Sequence, residues 1–260
     1  MEGNMFPYIR ILHWNISSYG MMMALAYLVA GYGACIRGKK HSALPEDILI
    51  VGATVLAGAL IGGNLLYCFV TYSSSQLMVM VMKGDFSFLS GGLVFYGGLI
   101  GGILGAFLGI KICGSSVQKM ERVLIPMIPL GHGIGRIGCL LAGCCHGMKY
   151  DGPLAVHYPN SISNLSPDQG YFPVQPLESI VNFMIFFLLL RIERKVSRKY
   201  ELLLSYLGIY AVSRFFLEFL RGDENRGAFW SISSSQWIAV GCFILVCAYF
   251  LAIHNKKLTA

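Results

Sequence analysis

Along this chain apolar residues come in long stretches rather than in alternation. Most stretches run for about the 17 to 25 residues that a helix needs to cross the hydrocarbon of a bilayer. Seven spans are predicted, at approximately 17–36, 47–72, 88–112, 122–144, 176–191, 201–220 and 235–254, and the fourth and sixth carry charged residues within the apolar run. The longest polar connection, 147–174, contains YPNSISNLSPDQGYFP and is rich in turn formers. The expectation is an all-α, polytopic membrane protein in which residues 1–260 form a single transmembrane domain and the loop 147–174 caps a site from the outer face.

Composition and charge sharpen that picture. Hydrophobic residues make up 55% of the chain and charged residues only 13%, against roughly one quarter charged in soluble proteins. A net charge of +7 would suit nucleic acid, but the basic residues neither cluster on one polar segment nor alternate with aromatics, so no nucleic-acid partner is expected. They follow membrane topology, because Lys and Arg are retained on the cytoplasmic side of short loops. With the N-terminus outside, thirteen of the twenty fall on the cytoplasmic side: Arg37, Lys39, Lys40, Lys111, Lys119, Arg122, Arg191, Arg194, Lys195, Arg198, Lys199, Lys256 and Lys257. Arg10, Lys83, Lys149, Arg221 and Arg226 fall outside, leaving Arg136 and Arg214 within spans. About seven spans with N out and C in follow. The opening MEGNMFPYIRILHWN lacks a basic n-region and an A-x-A site, so no removable signal peptide is expected. The eight cysteines, spread through apolar runs, are expected to be mostly reduced and buried. The glycines from Gly91 to Ile110 recur at spacings that suit close helix packing. A phosphate loop would need a preceding strand.

Candidate chemistry centres on the charges inside the spans. Arg136, in GHGIGRIGCLLAGCC, costs a few kcal/mol at membrane depth and needs compensation. A buried carboxylate, helix carbonyls or an anionic ligand would each supply it, and a guanidinium suits a phosphate bidentately. Gly131, Gly133, Gly135 and Gly138 leave room for a ligand against the backbone. In the sixth span Tyr210, Arg214, Glu218 and Arg221 recur at spacings of four, four and three, which places them on one helical face. An Arg214–Glu218 pair neutralises part of that stripe, but two arginines against one carboxylate leave an excess positive charge for an anion to settle. His132, one turn before Arg136, and His146, after Cys144 and Cys145, are candidate general bases as well as ordinary hydrogen-bonded histidines. Cys139, Cys144, Cys145 and His146 are spaced C-x4-C-C-H rather than C-x2-C, so neither a metal nor another cofactor is expected.

Several motifs in order resemble those of the bacterial phosphatidylglycerol:prolipoprotein diacylglyceryl transferases. The signature G-R-x-G-N-F-x-N-G-E reads here as Gly135-Arg136-Ile137-Gly138-Cys139-Leu140-Leu141-Ala142-Gly143-Cys144. F-H-G-G-L-I-G reads as Phe95-Tyr96-Gly97-Gly98-Leu99-Ile100-Gly101, and H-P-x-Q-x-x-E as Phe172-Pro173-Val174-Gln175-Pro176-Leu177-Glu178. Y-x-x-x-R-x-x-x-E-x-x-R reads as Tyr210, Arg214, Glu218 and Arg221, and the similarity extends from Tyr19-Gly20 to Ser233 and Gln236.

The resemblance implies a seven-helix body in the bacterial cytoplasmic (inner) membrane. It also implies transfer of the diacylglyceryl group of phosphatidylglycerol to the lipobox cysteine thiol of a preprolipoprotein, with glycerol 1-phosphate released. On this reading Arg136 and Arg214 act on the phosphate and Tyr96, His132 or His146 on the proton. Tyr19, Gly97, Gly98, Gly138, Gln175, Tyr210, Glu218 and Arg221 contribute to substrate binding. The chain departs from the family pattern where Tyr96 and Phe172 replace histidines, Cys139 and Ala142 asparagines, Cys144 a glutamate and Asn64 an arginine. Two alternatives therefore stand beside the transferase: a paralogue that passes the lipid to another acceptor, and a non-catalytic binder of anionic lipid.

Overall fold

The computed structural model describes residues 7–11, 13–90, 92–163, 165–222, 228–229 and 232–258. Gly91, Asn164 and Arg226 lie outside the described residues, as do the side chains of Lys256 and Lys257. Long helices dominate: α1 (Ser18–Lys40), α2 (Pro45–Thr71), α3 (Ser74–Met82), α4 (Phe95–Ile112), α5 (Val117–Leu124), α6 (Met127–Ala142), α7 (Val174–Ile192), α8 (Glu201–Glu218) and α9 (Ser234–Leu258). Two small antiparallel hairpins, β1 (Tyr8–Ile11) with β2 (Trp14–Ser17) and β3 (Ala228–Phe229) with β4 (Ile232–Ser233), precede α1 and α9. The protein is a mostly helical, polytopic membrane protein.

Among the described residues six segments are long and apolar enough to cross a bilayer: α1, α2, α4, α5 with α6 as Val117–Ala142, α7, and α9 over Ser234–Ile253. The sixth expected span, α8, has the length, at 18 residues, but carries Glu201, Arg214 and Glu218. The fourth expected span is interrupted at Pro126, whose missing N–H ends α5 and starts α6. The third starts later than its apolar run, at Phe95, because Ser87–Ser90 forms a 3-10 turn. Helix α3 is an addition to the expected set, fixed by a capping box in which Ser73 and Gln76 exchange side-chain-to-backbone hydrogen bonds.

Contacts divide the chain into two units, Met1–Gly33 with Leu124–Ala260, and Ala34–Val123. In the second unit α2 and α4 pack backbone against backbone. A Cβ added at Gly58, Gly62, Gly97, Gly101 or Gly105 would collide with a carbonyl of the facing helix. This is the small-residue approach expected between membrane helices, where burial of apolar surface no longer drives association and van der Waals fit must. The opposite faces remain open: Phe69 is 76% exposed and Leu104 64%, surfaces that suit lipid rather than water. Arg37 closes the cytoplasm-proximal end expected for this unit by donating from Nη2 to the Arg122 carbonyl at 2.6 Å.

In the first unit the helices are joined by polar bonds as well as packing. Ser179 Oγ on α7 donates to the Gly133 carbonyl of α6 at 2.8 Å, and the absent side chain of Gly133 makes room for the Phe183 ring. Gln236 Nε2 on α9 donates to the Phe215 carbonyl of α8 at 3.3 Å. Ile185, Leu189, Leu202 and Tyr206 form the apolar contact between α7 and α8.

Gly101→Leu is expected to destabilise the detergent-solubilised protein by at least about 3 kcal/mol, because the α4 backbone cannot retreat from Gly58 without losing the whole contact. Gly241→Ala, with open space at its Cβ position, is expected to stay within about 1 kcal/mol of the parent. Chemical unfolding followed by tryptophan fluorescence distinguishes the two.

Candidate functional site

Helices α6, α7 and α8 bring the charged residues of the apolar spans together. The pivot is Glu178, on the first turns of α7, whose side chain is only 3% exposed. Its Oε2 meets Arg136 Nε of α6 at 2.9 Å, and its Oε1 meets Arg214 Nη1 of α8 at 3.1 Å and Arg221 Nη1 at 3.2 Å. Arg214 also pairs through Nη2 with Glu218, one turn on. The expected Arg214–Glu218 pair is therefore present within a larger cluster of three guanidiniums and two carboxylates. Arg221, assigned to an outer loop by charge distribution, is a buried member of it, with a side chain 2% exposed. Among these five groups one positive charge remains in excess.

Arg136 is the member with capacity left. Its Nε is engaged by Glu178 and also donates to His132 Nε2 at 3.3 Å, whereas Nη1 and Nη2 make no hydrogen bond among the described residues. A guanidinium has five donors in a planar fork, so an edge of Arg136 is available to a ligand oxygen. His132 accepts from Arg136 and is thereby held neutral, with the proton assigned to Nδ1. Its ring lies 5.7 Å from that of Tyr210. Together with Val181, Asn182, Ile185, Ser213 and Leu217, these residues line a cavity of about 10 Å³, room for a single water. Asn182 donates from Nδ2 to the Glu178 carbonyl at 2.7 Å, while its buried Oδ1 has no hydrogen-bond partner among the described residues. A larger, open cleft of about 370 Å³ over α3, lined by Tyr72, Ser75, Gln76, Val79 and Met80, carries no charged group.

Other expected site residues serve the framework. Gln175, expected at the substrate, is fully buried with both ends of its amide used: Nε2 donates to the Cys144 carbonyl and Oε1 accepts from Tyr158 OH, each at 2.9 Å. Burial pushes the Tyr158 phenol up to about 12, so it remains a donor at ordinary pH. Gly138 lets α6 approach Tyr19 and Met22 of α1, and Tyr19 itself is 40% exposed. Gly97 serves the α2–α4 contact, Gly98 sits beside it, and Tyr96 is half-exposed against the Phe95 ring; these three belong to the second unit. His146 is tied through Nδ1 to the Gly147 carbonyl at 2.9 Å and packs edge-on against Tyr171.

The loop 147–174 folds onto the ends of two of these helices. Met148 N bonds the Leu220 carbonyl, Gly222 N the His146 carbonyl and Ile162 N the Ala142 carbonyl, while Tyr158 and Tyr171 form a small core beneath it. The C-x4-C-C spacing nevertheless brings the three thiols together in space. Helix α6 ends in a left-handed turn at Gly143, and the sulfurs of Cys139, Cys144 and Cys145 lie within 4.8 Å of one another. In the sequence Glu178 is the last letter of the H-P-x-Q-x-x-E element, with no site role expected from it. The signal that marks it is a lone carboxylate in an apolar helix, which must find a partner.

Comparison with known proteins places the chain in one family. The profile of the family described as prolipoprotein diacylglyceryl transferase matches residues 7–252. The chain is 35% identical over 232 residues to the phosphatidylglycerol–prolipoprotein diacylglyceryl transferase of Clostridium tetani, covering 89% of this chain and 90% of that one. It is 31% identical over 252 residues to phosphatidylglycerol–prolipoprotein diacylglyceryl transferase 2 of Clostridium perfringens, covering 95% and 94%. The protein of that name from Clostridioides difficile is 29% identical over 210 residues, covering 81% and 80%.

Glu178→Ala removes the one carboxylate that contacts all three buried guanidiniums. The expected loss is about 3 to 5 kcal/mol of stability, the range for breaking a buried charge pair. A melting temperature in detergent equal to that of the parent would show that the cluster is not held by this carboxylate.

Proposed function

The chain belongs to the prolipoprotein diacylglyceryl transferase family, and on that premise we propose that it is an enzyme that moves the diacylglyceryl group of phosphatidylglycerol to the lipobox cysteine thiol of a preprolipoprotein. The thiol sulfur attacks the glycerol carbon that bears the phosphate, the carbon–oxygen bond breaks with its electron pair on the departing oxygen, and glycerol 1-phosphate leaves. The phosphodiester carries one negative charge and the leaving phosphate gains another. Fixed positive charge in a water-poor site lowers that barrier.

The observation that carries this reading is the available Nη edge of Arg136 beside a cluster with one positive charge in excess. A headgroup does not fit a cavity of about 10 Å³. Phosphate entry therefore requires α6, α7 and α8 to part locally, with phosphate oxygens taking donors that Glu178 now holds. The thiol proton needs an acceptor. His132, neutral and on the cavity wall, is the proposed one, released when Arg136 turns to the phosphate. His146 and Tyr96 are alternatives, and the same assay separates His146 from His132.

The proposal also places the chain in the bacterial cytoplasmic membrane with seven spans, α8 included, the N-terminus outside and the loop 147–174 capping the site from the outer face. In its favour are the basic residues at the ends of α1, α4 and α7, which read as cytoplasmic. Replacement of the family's polar residues by Cys139, Ala142 and Cys144 favours a second reading, a transferase that uses a different acceptor.

In a purified assay with phosphatidylglycerol and a lipobox peptide, read by mass spectrometry, Arg136→Ala and Arg214→Ala are each expected to lower the rate by at least about 100-fold while still inserting in the membrane. Full transfer by either variant removes the phosphate assignment. No transfer by the parent protein, with phosphatidylglycerol still bound, favours the second reading. His132→Asn is expected to lower kcat by about 100-fold or more and His146→Asn to change it little. Unchanged rates in both would mean that the proton leaves by another route.

A further inference from the structure

Three thiols at the end of α6 take no part in the phosphate chemistry, and the local fold gathers them. Cys139 sits in the last turn of the helix. Gly143 then adopts a left-handed conformation (φ 68°), where any Cβ would run into Ser161, and Cys145 is itself left-handed (φ 56°). These two turns fold the chain back, so that Cys144 N reaches the Cys139 carbonyl at 3.1 Å and the three sulfurs come within 4.8 Å of one another. All three cysteines are free; Cys139 is buried and the others are half-buried. The turn is held from outside by buried groups, with Gln175 bonded to the Cys144 carbonyl, Tyr158 bonded to Gln175, and Ser161 bonded to the Gly143 carbonyl. The thiols are thus gathered by a turn that buried groups outside it hold in place, and Cys144 Sγ itself donates to the Cys139 carbonyl at 3.7 Å.

Spacing and charge both suit a soft metal ion. A tetrahedral zinc–thiolate centre has Zn–S of about 2.3 Å and hence sulfurs about 3.8 Å apart, a modest contraction from the observed limit of 4.8 Å. Thiolates select zinc-like or cuprous ions over magnesium or calcium, which require oxygen ligands. Three thiolates with a divalent ion carry one net negative charge. Arg136, three residues before Cys139 on α6, belongs to a cluster with one positive charge in excess.

We propose that Cys139, Cys144 and Cys145 form a binding site for a thiophilic divalent cation of the zinc class, with three sulfur ligands and a fourth position left for a ligand from outside the chain. The site does not depend on the transferase reading and is tested without an activity measurement.

The full chain, purified in detergent under reducing conditions and stripped of metal by a chelator, is titrated with Co²⁺. A sulfur-to-cobalt charge-transfer band is expected, saturating at one ion per chain and displaced by Zn²⁺. Cys139→Ser and Cys144→Ser should each weaken Co²⁺ binding at least about 10-fold, whereas Cys113→Ser and Cys242→Ser should leave it unchanged. Because a cysteine variant can fail to fold, a second measurement uses the unaltered protein: Zn²⁺ should slow alkylation of these three thiols, mapped by peptide mass spectrometry. Absence of the band in the reduced parent protein overturns the proposal. So does a band that persists when all three residues are serine, or an alkylation rate at the three thiols that Zn²⁺ leaves unchanged.

Discussion

One carboxylate holding three guanidiniums organises the first unit. Glu178 reaches Arg136, Arg214 and Arg221 from a position buried between α6, α7 and α8, and Glu218 takes the remaining edge of Arg214. Ions so far from water carry a desolvation cost that only close, well-directed partners offset. The cluster thereby locks three helices in register and fixes the arginine side chains before any ligand arrives.

The two units hold their helices together by different means. Between α2 and α4 the backbones meet directly across glycines, with Leu66, Thr54 and Ala59 filling in beside them. Between α6, α7, α8 and α9 the bonds are polar, from Ser179 to Gly133 and from Gln236 to Phe215, and among them sit the ions. Polar links can be exchanged for links to a ligand, whereas glycine contacts cannot. On the proposed reading, the chemistry lies in the unit whose internal bonds a phosphate is able to replace.

Much of this was legible in the residues. Apolar length marked the helices, and the glycine spacing of α4 announced its backbone contact. Arg136 and the stripe from Tyr210 to Arg221 stood out because charge in an apolar run demands an explanation. Gln175 was legible as a motif residue but not in its role, since nothing local shows that its amide spans Cys144 and Tyr158. Glu178 was overlooked for a related reason: a single acid on α7 gains meaning only from cations 42 residues before it and 36 and 43 after it in sequence.

The sequence by itself determined that the chain is a polytopic membrane protein, where its long apolar segments lie and which side chains within them need partners, because those properties depend on composition within a segment or on spacing along one helix. Only the tertiary structure decided which partners they find. The meeting of three arginines at Glu178, and of three sulfurs beyond Gly143, depends on how separate segments and a left-handed turn are placed in space, and no periodicity along the chain encodes that placement.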